Sequence, residues 1–212
     1  SGLGSGAAIT AALIRELSAA LGSPLEGDEL NALVYKVEKV HHGTPSGIDN
    51  TVIVMNAPVY FVKGQPPRPF RIGQPLTFVV ADSGVQASTR ETVNAVRDLY
   101  NFDPEAYRGF FEEIGAVVDD ARNQIEQGNL KDIGQLMNRN HQMLSILSVS
   151  SPRLNNLVSA ARQVGALGAK LSGGGRGGNI IALVEPDNAQ RVADALRGAG
   201  AVQTWTTTVS QQ

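Results

Sequence analysis

Three short segments of this chain concentrate residue types that handle phosphate, metal ions and protons. The first is Gly2-Leu3-Gly4-Ser5-Gly6-Ala7-Ala8, where small residues permit unusual backbone angles and let amide N–H groups come within hydrogen-bond reach of an anion. A helical periodicity follows at once, so the loop would feed the partly positive N-terminus of a helix. There the Ser5 hydroxyl is placed to serve a phosphate-bound Mg2+ as an oxygen ligand. The lysine of a Walker loop is missing, so the segment is neither a Walker loop nor a dinucleotide fingerprint. A tight turn with Ser1 or Ser5 capping the helix fits the same residues equally well.

The second segment runs from Glu38 through His41-His42-Gly43-Thr44-Pro45-Ser46-Gly47-Ile48-Asp49-Asn50. Glu38 offers a hard oxygen ligand suited to Mg2+, and Asp49 could accept a proton from a substrate hydroxyl or hold it electrostatically. The alternative is a solvated helix charge at Glu38, a turn residue at Asp49 and surface histidines at 41 and 42. The third segment is Gly173-Gly174-Gly175-Arg176-Gly177-Gly178, between Lys170-Leu171-Ser172 and the apolar run Ile180 to Val184. Glycines there relieve Cβ crowding where another backbone or a ligand comes close, and Ser172 and Arg176 are the side chains able to touch an anion. A mobile hairpin loop is the competing description.

The elements that must hold these segments follow from periodicity. Ile9, Leu13, Leu17 and Leu21 recur every four residues and predict a helix over 7–21, with Gly22 as its stop. A second helix is predicted over 28–40, with Leu30, Leu33, Val34 and Val37 inward. Thr51 to Met55 and Val59 to Val62, rich in β-branched residues, predict a β-hairpin, and Pro66 to Pro69 an irregular connection. Leu76 to Ala81 reads as a buried strand, followed by helices over 89–100, from 103 to 127 and over 130–148. The remainder alternates helix 152–164, strand 168–171, the glycine run, strand 179–184, helix 189–198 and strand 202–209, which predicts two helices packed on an antiparallel sheet.

Composition narrows the function classes. The 212 residues carry a formal net charge of -2, with 42% hydrophobic and 18% charged residues, the profile of an ordinary globular protein. With no basic cluster, nucleic acid and acidic membrane surfaces are poor partners, and a small molecule fits better. There is no cysteine, which removes disulfides, thiolate metal sites and cysteine nucleophiles. No apolar run is long enough to cross a bilayer, and a cytoplasmic location is expected.

Taken in order, the three segments resemble the GHMP kinase superfamily, named for galactokinase, homoserine kinase, mevalonate kinase and phosphomevalonate kinase. Gly2 to Ala7 resembles the family's phosphate loop, GLGSSA, and Lys170 to Gly178 its third motif, KLTGAGGGG. Glu38 with His42-Gly43-Thr44-Pro45-Ser46-Gly47-Ile48-Asp49-Asn50 is most similar to the mevalonate kinase branch, whose segment reads E, four residues, then HGNPSGVDN. Three departures stand out. Gly6 replaces a common second serine, Gln86 a common basic residue, and Arg176 interrupts the third glycine run.

The resemblance implies an α+β, GHMP kinase-like two-layer fold, with a helical middle followed by a ferredoxin-like C-terminal α+β sandwich. Residues 1–150 would be the remainder of the nucleotide and acceptor-binding domain. Residues 151–212 would complete a C-terminal α+β domain that begins earlier, near 75. It also implies ATP and Mg2+ as cofactors, with Gly2, Leu3, Gly4, Ser5, Gly6, Ala7, Gly173, Gly174 and Gly175 cradling the nucleotide and Ser5 and Glu38 holding the metal. Asp49 would be the catalytic carboxylate, His42 and Ser46 would shape the acceptor pocket, and Thr89 would lie by the transferring phosphate.

The reaction implied is transfer of the ATP γ-phosphate to the 5-hydroxyl of mevalonate. The rivals are kinases for phosphomevalonate, homoserine or a sugar, and a noncatalytic binding module. A homodimer is a further expectation. So is a preceding strand with a lysine-bearing segment, without which this chain alone would turn over little substrate.

Overall fold

A computed structural model of the chain describes residues 3–42 and 45–210 and, at His41 and His42, the backbone alone. The chain divides into two compact units, Leu3–Arg71 and a second that starts at Ile72.

The first unit is built from α1 (Ser5–Ala20), α2 (Gly27–His42) and α3 (Ile48–Met55), followed by a two-residue ribbon in which β1 (Val59–Tyr60) pairs antiparallel with β2 (Arg68–Pro69). Ala7 and Ala11 of α1, Leu30 and Val34 of α2 and Val54 of α3 form its core. The periodicity of α1 predicts a helix correctly, but its large residues do not make the contact. Ile9, Leu13 and Leu17 remain about three-fifths exposed (63%, 59% and 62%), while Ala7 and Ala11 are fully buried. Small side chains let α1 approach Leu30 and Val34 closely, and packing rather than hydrophobicity selects the inner face.

The hairpin predicted over 51–62 is not formed. Thr51 to Met55 belongs to α3, and β1 takes its partner from residues 68 and 69 instead. Local propensity loses to tertiary context here. Gly47 enters α3 with a left-handed φ of 91° and has Tyr35 and Phe61 packed against it. The Thr51 hydroxyl bonds back to Gly47 O at 2.7 Å, and Asn50, Thr51 and Val54 form a buried face at helical spacing.

The second unit contains β3 (Leu76–Asp82), α4 (Thr89–Phe102), α5 (Pro104–Gln127), α6 (Leu130–Ile146), α7 (Pro152–Gln163), β4 (Gly168–Ser172), β5 (Asn179–Val184), α8 (Ala189–Gly198) and β6 (Gln203–Val209). Its sheet is antiparallel in the order β4-β5-β3-β6, with Val79 opposite Ala182, Lys170 opposite Ile181 and Trp205 opposite Val80. Two outer strands flank two inner ones in the split β-α-β arrangement of ferredoxin-like domains.

Alternation along each strand divides the sheet's two faces. Val79, Ala81, Ala169, Leu171, Ile180, Ala182 and Val184 face α7 and α8, where Leu154, Leu157, Val192 and Leu196 are fully buried. On the other face Leu76 and Leu183 pack with Ile133 and Met137 of α6. The helix ends carry the expected signals: Asp103 caps α5 ahead of Pro104, Gly128 ends it with φ 77°, and Ser151 caps α7 ahead of Pro152. Among the described residues, no helix is long and apolar enough to cross a membrane.

Candidate functional site

In the first unit Glu38 and Asp49 approach the start of α1, where Ser5 stands. Gly4 is the N-cap in a left-handed conformation (φ 70°), no side chain caps the helix, and Ser5 is its first residue. Ser5 therefore does not cap α1, and its side chain is exposed. The site a Cβ would occupy on Gly4 lies 3.6 Å from Asp49 Cβ and 3.7 Å from Asp49 Oδ1, and the corresponding site on Gly6 lies 3.2 Å from Glu38 Oε1. Two carboxylates from two other helices thus flank the first turn of α1, whose amides carry the partial positive charge of the helix end.

Glu38 is not a solvated helix charge. It is 6% exposed and continues the buried line of Leu30 and Val34 at four-residue spacing along α2. A carboxylate at a core position of an amphipathic helix is costly unless something compensates it, and that spacing is a signal already present in the sequence. Asp49 lies in the first turn of α3 and is exposed. Its helix is tied down by the next residue. Asn50 is 3% exposed and donates through Nδ2 to Asn31 Oδ1 at 2.5 Å, joining α3 to α2.

Asn31 and Asn50 are positioning residues that the sequence reading left without a role, although Asn50 stands inside the family-like motif. Asn50→Ala is expected to cost about 1–3 kcal/mol by leaving the Asn31 oxygen without its donor, seen as a lower urea midpoint at unchanged slope. Ser46 is exposed and its hydroxyl accepts from Ile48 N–H at 3.3 Å, shaping the entry to α3. Leu3 is 53% exposed, whereas Ala7 is buried in the core. Gly2 and the side chain of His42 lie outside the described residues.

In the second unit the glycine run joins β4 to β5, with Ser172 opposite Asn179. A Cβ on Gly174 would overlap the Thr89 side chain, one on Gly175 the Val149 carbonyl, and one on Gly177 the Val85 carbonyl. These glycines are required by close approach, and the run is held rather than mobile. Arg176 N–H donates to Val149 O at 2.8 Å and its Nε to Ser148 O at 3.1 Å, while Gly178 N–H donates to Val85 O at 2.8 Å. Arg176 itself holds a left-handed φ of 59°, the conformation that glycine would adopt without cost. Thr89 is the exposed first residue of α4, placed against Gly174, and Ser88 caps that helix by accepting from Glu91 N–H at 3.3 Å.

Two grooves lined by described residues of the second unit contain no residue singled out from the sequence. One, about 470 Å³, lies between α6 and α7, and the other, about 660 Å³, between α4 and α5. Among the described residues there is no group of three or more histidine, aspartate or glutamate side chains able to hold a metal ion. Any cation beside Glu38 would complete its coordination from hydroxyl, phosphate and water oxygens.

Comparison with known proteins gives the family. Residues 1–57 match the GHMP kinases N terminal domain and residues 121–202 match the GHMP kinases C terminal family. The chain belongs to the GHMP kinases. Among its GHMP kinase relatives, mevalonate kinase of Pyrococcus horikoshii is 41% identical over 207 residues, covering 95% of this chain and 61% of that one. The crystal structure of L. major mevalonate kinase in complex with R-mevalonate superposes with a TM-score of 0.91 at 33% identity, covering 98% of this chain and 65% of that one. Streptococcus pneumoniae phosphomevalonate kinase, in complex with phosphomevalonate and AMPPNP, shares the fold with a TM-score of 0.76 at 17% identity, covering 93% of this chain and 66% of that one. The chain thus spans roughly three-fifths of the Pyrococcus enzyme's length.

Proposed function

We propose that this chain carries the phosphate loop, metal ligand and acceptor carboxylate of a mevalonate kinase, transferring the γ-phosphate of ATP to the 5-hydroxyl of mevalonate. The observation that carries the proposal is the pair of carboxylates, Glu38 and Asp49, set against Gly6 and Gly4 at an uncapped helix N-terminus. The 41% identity to a mevalonate kinase supports that acceptor over phosphomevalonate, whose kinase matches at 17%.

The charges explain why a cation belongs to this reading. Amides at the start of α1 attract phosphate oxygens, yet Glu38 and Asp49 would repel them. Mg2+, held by Glu38 and the Ser5 hydroxyl, would neutralise phosphate charge and so reconcile the two. Gly4 and Gly6 let backbone amides approach the phosphates, and the exposed Asp49 carboxylate would take the acceptor proton or anchor the hydroxyl. Ser46 and His42 would border the acceptor, while Thr89 and Gly173 to Gly175 would contact the nucleotide. Catalysis would then rest on positioning and charge rather than on a covalent intermediate.

Titration of the chain with ATP, with and without Mg2+, tests the metal assignment. Glu38→Ala is expected to abolish most of the Mg2+ dependence of nucleotide affinity, a loss on the order of tenfold or more. An unchanged Mg2+ dependence in that variant removes Glu38 from the metal site. If the wild-type chain binds neither nucleotide nor mevalonate, a noncatalytic module replaces the kinase reading.

A further inference from the structure

β4 is an outer strand, and the N–H groups on its free side require acceptors. α6 supplies them from one face. Gly134 meets Gly168 backbone to backbone, Asn138 Oδ1 accepts from Ala169 N–H at 3.1 Å, and His141 Nδ1 accepts from Leu171 N–H at 3.3 Å. Residues 134, 138 and 141 follow helical spacing, so a single stripe of α6 closes the sheet edge.

His141 reaches further than Asn138. It is 7% exposed, and its Nε2 lies 3.1 Å from Asn155 Oδ1 on α7. That same oxygen accepts from Ser150 Oγ at 2.6 Å and from Ser145 Oγ at 3.4 Å. Ser150 belongs to the α6–α7 turn whose Ser148 and Val149 carbonyls hold Arg176 in the glycine run. The ring thus connects the strand that enters the run with the turn that clamps it.

We propose that His141 is a positioning residue which, neutral and with its proton on Nε2, fixes β4 and thereby the backbone of Gly173 to Gly178. The hydrogen positions dictate the tautomer. Leu171 N–H can only donate, so Nδ1 must be unprotonated, and Nε2 then donates to the Asn155 oxygen. Protonation of the ring places a second proton where Leu171 already donates, and the strand edge loses its acceptor.

The surroundings oppose that protonation. Burial pushes His141 below the ordinary histidine value, and Lys170 on β4 and Arg162 on α7 add repulsion, against the Asn155 hydrogen bond, which favours the charged ring. Because the folded value lies below the 6.5 of a free histidine, the unfolded chain binds more protons between the two values. The contribution of His141 to stability is therefore complete above 6.5 and is lost progressively as the pH falls below it.

That the positioned run serves a nucleotide rests on the kinase reading, but the test of the clamp needs no ligand. In the full 212-residue chain, long-range 1H–15N spectra near neutral pH should show His141 with the proton on Nε2. A proton on Nδ1 overturns the proposal. His141→Leu should lower the amide protection factors of Leu171 and of Arg176, whose N–H groups donate to His141 Nδ1 and Val149 O, by about tenfold or more. His141→Asn places an oxygen where Nδ1 stood, as Asn138 does for Ala169, and should keep them within about threefold of wild type while abolishing the loss of protection on acidification.

Equal losses in both variants, or no loss in either, would show that the ring does not hold the strand. Should His141→Leu fail to fold, the asparagine variant and the wild-type pH series decide the same question. Failure of the chain to bind Mg-ATP counts against the kinase reading alone.

Discussion

If the proposed kinase reading holds, Asp49→Asn should lower phosphoryl transfer to mevalonate on the order of 10²–10⁴-fold while Mg-ATP affinity stays nearly unchanged. Asparagine matches aspartate in shape, so the position at the start of α3, beside Gly4, is kept and only the charge is removed. The Asn50 to Asn31 bond that anchors the helix is untouched by the change. A loss produced by misplacement is thereby separated from a loss of proton acceptance or electrostatic anchoring. If the carboxylate acts on the acceptor hydroxyl as the transition state forms, kcat and kcat/KM fall together. A rise in the mevalonate KM with kcat preserved would instead make Asp49 a ground-state binding group. Steady-state rates at saturating ATP, over a range of mevalonate concentrations, distinguish the two. A change in turnover smaller than about threefold removes Asp49 from the chemistry altogether.

Much of the second unit was legible because its signals are local. Asp103-Pro104, Gly128 and Ser151-Pro152 mark helix ends that the structure keeps, and the apolar runs Leu76 to Ala81 and Ile180 to Val184 belong to strands that stay paired. The first unit was harder to read because its contacts decide against its propensities. Thr51, Val52, Ile53 and Val54 look like a strand, yet the Gly47 entry, the Thr51 back-bond and the Asn50 anchor make them a helix. The leucines of α1 mark a helix without marking its buried face, since the alanines between them set how closely α2 approaches.

Within the candidate site, residue types were readable and their anchors were not. Glu38 and Asp49 are visible as carboxylates in a polar segment, whereas the Asn31 to Asn50 bond spans 19 residues and leaves no periodic trace. His141 was equally hidden. Its ring joins Leu171, 30 residues downstream, to Asn155, and nothing in a single sequence reports such a pairing. The glycine run illustrates the reverse situation. Its composition permits a loose loop as readily as a tight one, and only the neighbours at Thr89, Val149 and Val85 show that Gly174, Gly175 and Gly177 are dictated by close approach.

The same distinction yields the largest expected change in stability. Gly168→Ala should destabilise the protein by about 3–5 kcal/mol, at or beyond the upper end for overpacking, because the added methyl would overlap the Gly134 carbonyl. Side chains can turn away from an intruding methyl, but a helix backbone must move as a whole. Moving α6 outward would lengthen the Asn138 bond to Ala169 and the His141 bond to Leu171, which start at 3.1 Å and 3.3 Å. Each such bond contributes on the order of 1 kcal/mol.

A second glycine provides the control. Gly198, in α8, has nothing within 4 Å of an added Cβ, so Gly198→Ala should be neutral or stabilising by up to about 1 kcal/mol through helix propensity. Urea unfolding of both variants at one pH gives the comparison, with the midpoint reporting stability and the slope reporting any change in the state that unfolds. Amide exchange on Gly168→Ala adds the location of the damage: Ala169 and Leu171 should lose protection before Ile180, which is paired inside the sheet. A cost below about 1 kcal/mol would mean that α6 can yield at this point. The edge of β4 would then depend on Asn138 and His141 alone, and substitution of those two side chains should account for the whole of its protection.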